Sequence, residues 1–259
     1  MPVAVHVYIM NDTDGDTRTV TVITGASSGI GAATARQLAH EGSDLVLAAR
    51  SVKRLEDVAA ECRNEGVEAA VVPTNVTEYG DVESLIEATR ERFGRLDAVV
   101  VNAGTGEQRD RQIEELPLEQ FETVTATNVH GAFYTTRAAL PALREHGGTI
   151  VFVGSYKGRY PSTSTPVYAA SKWWLRGFAK SVAGQVGSDG VGVSVVNPTG
   201  VRTEFGSQFR AETNNEALEA ETTVSADDVA EAITYAIDQD APTVAAEIDL
   251  YRQDVYERF

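Results

Sequence analysis

From residue 19 onward the chain alternates short apolar runs with longer amphipathic segments, and few architectures accept that rhythm. The apolar runs cover 19–24, 44–49, 67–72, 97–101, 149–154, 192–197 and 246–250. Between them lie patterns of helical period, such as 31–41, 52–65 and 81–93. Strands joined by helices of this length cannot pair as hairpins; they run parallel through right-handed crossovers. The runs are almost continuously apolar, as strands covered on both faces should be. The pattern therefore predicts an α/β chain, a doubly wound parallel sheet of about seven strands with helices on both faces.

No internal repeat or linker divides the chain, so 18–259 reads as a single domain. Residues 1–17 end in Asn11-Asp12-Thr13-Asp14-Gly15-Asp16-Thr17 and read as a mobile acidic lead-in. Its spaced aspartates lack the distal glutamate of a calcium loop. Segment 200–224 breaks the rhythm as a loop or helical flap. After it, Ser225 is placed to cap a helix with Asp228 in the first turn, a capping role rather than a catalytic one.

Composition narrows the partners. The chain has 38 acidic and 22 basic residues, a formal charge of −16, which disfavours nucleic acid. Only four of the basic residues are lysines; that imbalance predicts a halophilic protein whose self-repulsion is screened by salt. No apolar run is long enough to span a membrane, and residues 1–10 lack the pattern of a secretory signal. A single cysteine, Cys62, fits a reducing, cytoplasmic setting. The histidines His6, His40, His130 and His146 share no ligand spacing, so no metal site is expected.

The first strand runs into Thr24-Gly25-Ala26-Ser27-Ser28-Gly29-Ile30-Gly31, which opens a helix. Glycines there permit a tight turn and a close backbone approach, and the helix N-terminus offers free N–H groups to a pyrophosphate. Gly25, Ser27, Ser28, Gly29, Ile30 and Gly31 are thus expected to bind a dinucleotide in a Rossmann-type fold. The second strand ends at Arg50 where an acid would hold a free ribose 2′-hydroxyl. A guanidinium grips a 2′-phosphate instead, which favours NADP over NAD.

Tyr168 and Lys172 stand four residues apart in a helical stretch, on one face. A phenol near a fixed positive charge is a plausible acid/base for a hydroxyl proton. With Asn102-Ala103-Gly104 after the fourth strand, Asn128, and Ser155 after the fifth, the set appears in the order of the short-chain dehydrogenase/reductases. The chain resembles that family over about 19–250, in its single-domain form.

The resemblance implies Tyr168 as general acid/base, Lys172 as ribose ligand that, with the oxidised ring, depresses the phenol, and Ser155 as hydrogen-bond partner of the substrate oxygen. Asn128 would hold a water linking Lys172 to solvent. Asn102, Ala103 and Gly104 would line the cofactor site. Pro198, Thr199, Val201 and Thr203, in Asn197-Pro198-Thr199-Gly200-Val201-Arg202-Thr203, would bind its nicotinamide side. Asn75, followed by Val76, stands where the family carries an aspartate on adenine; its amide oxygen is expected to accept instead. Trp173 and Trp174 follow Lys172 on a helix that packs against a neighbouring subunit in this family, which implies a homodimer or homotetramer. Lys157 and Tyr160 are candidates for the substrate pocket.

The implied function is NADP-dependent hydride transfer with a small-molecule alcohol or ketone: a small secondary alcohol, hydroxy acid, sugar or similar. The alternative is a non-catalytic NADP(H)-sensing regulatory protein. Loss of Tyr168 or Lys172 would favour it, and both are present.

Overall fold

The structure is a computed structural model that describes residues 18–219 and 223–258; the lead-in expected over 1–17 lies outside the described residues. Seven strands form one parallel sheet: β1 (Val20–Thr24), β2 (Asp44–Ala49), β3 (Ala69–Pro73), β4 (Ala98–Val101), β5 (Thr149–Val153), β6 (Gly192–Pro198) and β7 (Glu247–Leu250). Their order is β3-β2-β1-β4-β5-β6-β7. The chain leaves β1 outward through β2 and β3, then returns to β4 on the other side. The winding direction therefore reverses between β1 and β4, which opens a crevice at the carboxyl ends of the strands.

The helices are α1 (Gly29–His40), α2 (Val52–Asn64), α3 (Tyr79–Phe93), α4 (Leu118–Thr125), α5 (Gly131–His146), α6 (Pro166–Val186), α7 (Asn214–Ala217) and α8 (Ala226–Ile237). Strand residues alternate strictly between two cores. Ile23, Leu45, Leu47, Val100, Val151 and Val196 pack with α1, α2 and α8. Val22, Val46, Val99, Ile150, Phe152 and Val195 pack with α3, α5 and α6. Each strand must therefore be apolar on both faces, which is why no polar alternation was visible in it.

Boundaries shift where a turn does two jobs. Helix α1 begins at Gly29 rather than 31, because the glycine turn itself supplies the first helical residues. Ser225 and Asp228 form a reciprocal capping box at α8, with Asp228 N–H donating to Ser225 Oγ at 3.0 Å and Ser225 N–H to Asp228 Oδ2 at 2.7 Å. The 200–224 segment carries α7, and Val201 pairs with Val224 in an isolated bridge. Cys62 is buried, and burial pushes its thiol up to about 11, so it behaves as a small apolar side chain.

The β7 edge is secured by charge. Glu247 accepts hydrogen bonds from Arg159, Arg176 and Asn197 and pairs with Lys180 at 3.0 Å, joining β7 to α6, β6 and the loop after β5. Burial alone would raise this carboxyl. The hydrogen bonds from Arg176, Arg159 and Lys180 outweigh it and hold the group well below its ordinary value. A depressed pKa contributes stability above the unfolded value of 4.5 and loses it as pH falls below. Glu247→Gln should lower unfolding free energy by about 2 kcal/mol at neutral pH. Urea denaturation should show the gap from wild type closing as pH drops below 4.5.

Candidate active site

The crevice is a cleft of about 630 Å³ over the carboxyl ends of the sheet. At its floor, Gly25 has φ +69° and a Cβ there would lie 2.8 Å from Asn102 Nδ2. A Cβ on Gly31 would fall 2.4 Å from the Gly25 carbonyl oxygen, so the turn closes only without side chains. Gly31 supports the turn from behind and does not line the cleft; Gly25, Ser27, Ser28, Gly29 and Ile30 do. Asn102 is the buttress: its Nδ2 donates to the carbonyls of Thr24 at 2.8 Å and Gly25 at 3.1 Å. Its own N–H and that of Ala103 donate to Thr24 Oγ1. Asn102 thus shapes the turn as well as lining the cleft.

The turn fits a dinucleotide. Ser28 sits at the N-cap of α1 but spends no side-chain bond on capping. The free amides there face the cleft as a ready anion site. Arg50, Ser51 and Arg54 line the end near α2, and Arg54 makes a short ion pair across the cleft with Glu204. Asn75 and Val76 line the same end. The Asn75 amide oxygen does not remain available as expected: it accepts from Thr77 N–H at 3.3 Å and Thr77 Oγ1 at 3.0 Å in a local turn. At the far end Pro198, Thr199, Val201 and Thr203 line the cleft, and Thr203 packs over Gly29. Thr199 Oγ1 is buried without a hydrogen-bond partner, an orphan suited to a cofactor amide.

Ser155, Tyr168 and Lys172 meet between β5 and α6. Ser155 follows β5 and caps a short turn, accepting from Lys157 N–H at 3.2 Å. It also lies beside the Tyr168 phenol, whose pKa it lowers. Lys172 is 5 % exposed, and its Nζ donates to the Val153 carbonyl at 2.7 Å while lying 5.7 Å from the Tyr168 ring centroid. Burial pushes the Lys172 ammonium down to about 8.

The depression expected of the phenol belongs to Lys172 together with the oxidised ring; within the chain alone other groups act on it. Burial raises the Tyr168 pKa, opposed by the Ser155 hydroxyl and the Arg210 charge, while Glu107 adds to the rise. Arg210 is thus a cation that acts on the phenol from within the chain.

Asn128 occupies a π turn, Ala126–His130, between α4 and α5, and is buried behind the cleft. Its Oδ1 accepts from Thr105 N–H at 2.9 Å, and its Nδ2 donates to Thr105 O and Ser171 Oγ, each at 2.9 Å. Three of the four hydrogen-bonding positions of the side chain thus clamp the β4 loop, and one lone pair of Oδ1 is left over. Gly104 packs between Asn128 and Lys172.

Three further residues enter from outside the motifs. Glu107 is fully buried, and its carboxylate accepts the N–H groups of Val167 at 2.8 Å and Tyr168 at 3.0 Å. It caps α6 from another loop, because Thr165 at the N-cap makes no such bond. Arg109 and Arg210 line the cleft beside Lys157. Tyr160 does not line it; Tyr156 does. Nothing in the local sequence marks Glu107, Arg109 or Arg210, since each finds its partner, 60 to 105 positions away, only in the folded chain.

The short chain dehydrogenase family matches residues 19–214. The chain belongs to the short-chain dehydrogenase/reductases. An uncharacterised oxidoreductase of Staphylococcus aureus (strain USA300) is 32% identical over 221 residues, covering 85% of this chain and 91% of its own. Among solved structures, an alcohol dehydrogenase from the archaeon Thermococcus sibiricus complexed with 5-hydroxy-NADP superposes with a TM-score of 0.81 at 32% identity, covering 90% of this chain and 96% of the other. The 3-ketoacyl-(acyl-carrier-protein) reductase from Brucella melitensis complexed with NADH gives 0.80 at 27% identity, with the same coverage. This short-chain dehydrogenase is thus an oxidoreductase whose structural neighbours bind both types of nicotinamide dinucleotide. No helix among its described residues is long and apolar enough to cross a membrane, and none of those residues form a metal-holding cluster.

Proposed function

We propose that the chain is an NADP-dependent oxidoreductase that interconverts a small alcohol and its ketone, with Tyr168 as general acid/base. The observation that carries this reading is that the cleft gathers the Ser155 and Tyr168 side chains, with Lys172 buried one helical turn on from Tyr168. Bound NADP would supply or accept the hydride. The amides at Ser27 to Ile30 would hold its pyrophosphate, Lys172 its ribose, and Thr199, Val201 and Thr203 its nicotinamide side.

On reduction, Tyr168 gives its proton to the substrate oxygen as negative charge grows there; on oxidation it takes that proton back. Ser155 donates a hydrogen bond to the same oxygen and stabilises the developing charge. Burial keeps the phenol protonated and therefore ready as an acid. Lys172, held at about 8, still carries its charge at neutral pH beside it. Asn128 and Glu107 fix the frame, one through Thr105 and the other through the first turn of α6.

Arg50 supports NADP over NAD: it is exposed at the cleft and forms no ion pair among the described residues, so its guanidinium is open to a 2′-phosphate. The same residues would accept NAD less well. Tyr168→Phe should cut kcat by about a thousandfold or more, as loss of a general acid/base does. NADPH binding, followed by its fluorescence, should change less than about threefold. Near-normal turnover in Tyr168→Phe would rule out the mechanism, and a large preference for NAD would rule out the cofactor assignment.

The reading includes a homodimer or homotetramer that tolerates salt. Neither tryptophan is core: Trp173 is 48% and Trp174 36% exposed, and Trp174 stacks on Phe178 at 4.7 Å beside exposed Phe133. Aromatic exposure on one face of α5 and α6 suits burial by a second copy. Sedimentation should give a dimer or tetramer that persists into molar potassium chloride. A monomer under all conditions, or dissociation and inactivation by salt, would contradict it.

A further inference from the structure

The substrate side of the cleft is lined by cations. Arg109, Lys157 and Arg210 share it with Ser155 and Tyr168. In a chain of formal charge −16, most surface cations are answered by carboxylates, as Arg36 is by Glu61, Arg90 by Glu145 and Arg144 by Asp189. These three have no ion pair among the described residues. Each instead donates to a neutral oxygen: Arg109 to Asn214 Oδ1 at 2.6 Å, Lys157 to Thr165 Oγ1 at 2.6 Å, and Arg210 to the Glu107 carbonyl at 2.9 Å.

The acids closest in charge are already committed or turned outward. Glu107 gives both carboxylate oxygens to the N-terminus of α6, and Asp110 is exposed.

Arg210 is built into position. A Cβ on Gly106 would lie 2.6 Å from its Nη2, and one on Gly206 would lie 2.5 Å from its Cδ. Its guanidinium stands 4.9 Å over the Phe205 ring, which in turn packs 5.3 Å from the Tyr168 ring. Two glycines and a ring thus hold one cation a single side chain away from the proposed acid/base. Clustering is costly. Burial, then Arg210 and Arg109, push Lys157 down to about 8, and burial with Arg109 lowers Arg210. Glu107 and Asp110 offset the lowering only in part, and partly buried like charges that lack a paired carboxylate are relieved by an anion from outside. The dinucleotide does not supply it, because its phosphates belong at the glycine turn and Arg50 end.

We infer that the substrate carries an anionic group, a carboxylate or a phosphate, which seats among Arg109, Lys157 and Arg210 while its hydroxyl or carbonyl reaches Tyr168. This rests on the redox reading of the site and narrows it to hydroxy or oxo acids, or to phosphorylated alcohols. Guanidinium forks favour both groups, and the two sources separate by measurement.

Calorimetric titration of malonate and of inorganic phosphate into NADPH-saturated protein makes the test, since bound cofactor blocks the glycine turn. One of the two anions should bind saturably: malonate identifies a carboxylate substrate, phosphate a phosphate ester. Arg210→Met and Lys157→Met should each weaken it by about 10- to 100-fold. Arg109→Met gives the same readout should either variant fail to fold. No saturable binding of either anion, or affinities unchanged in the variants, would overturn the inference.

A turnover arm compares a hydroxy acid with its methyl ester. Where phosphate rather than malonate binds, the pair compared is a phosphorylated alcohol and its dephosphorylated form. A kcat/KM ratio favouring the anionic member of the pair, and falling in Arg210→Met, supports the inference; a ratio near one or below overturns it. Turnover of neutral alcohols without anion binding removes this inference and leaves the redox reading. Anion binding with no turnover of any hydroxy acid or phosphate ester supports the anion site and removes the redox reading.

Discussion

The Lys172 ammonium, buried beneath α6 and answered by the last carbonyl of β5, is the tie on which the site depends. Its 2.7 Å bond to Val153 fixes the long helix to the centre of the sheet and so sets where Tyr168 emerges. A buried cation with one carbonyl partner is expensive, and that burial pushes its pKa down to about 8. The surrounding chain is shaped to it. Gly158 lets the turn after β5 pass where a Cβ would come within 2.9 Å of the Lys172 carbonyl oxygen. Glu107 closes the start of the same helix with two backbone N–H bonds.

Tyr168 consequently has little freedom of position and a protonation state set by opposing forces. Removal from water raises its pKa; the Ser155 hydroxyl and the charge of Arg210 pull the other way. Arg210 therefore has two neighbours to serve, the phenol and any anionic group beside it. A substrate anion that neutralises Arg210 would remove one of the two influences that lower the phenol's pKa. Binding and proton transfer are coupled through one guanidinium.

The parallel sheet was legible because each strand must be apolar on both faces, and the structure shows that in the alternation of Val22 and Ile23 between two cores. The glycine turn was legible because only glycine fits where Gly25 and Gly31 stand. What stayed hidden depends on long-range pairing. Asn128 gives no sign of its π turn, nor that its amide clamps Thr105 and Ser171. Asn75 resembles a base-binding residue until its oxygen is found on Thr77. Arg210 lies in a segment without periodicity and meets Glu107 across 103 positions. Local pattern reports periodic burial, and it is silent about side chains whose environment comes from another loop.

Ultraviolet titration of the phenolate band, wild type against Tyr168→Phe, with and without saturating NADP+, tests the account most directly. In the free protein the difference should ionise above the ordinary phenol value of 10.0, as burial requires. With the oxidised, positively charged cofactor bound it should move down toward neutral pH, as an acid/base that must also accept a proton requires. A Tyr168 phenol that titrates at the same pH in both states would contradict its assignment as the acid/base of this site.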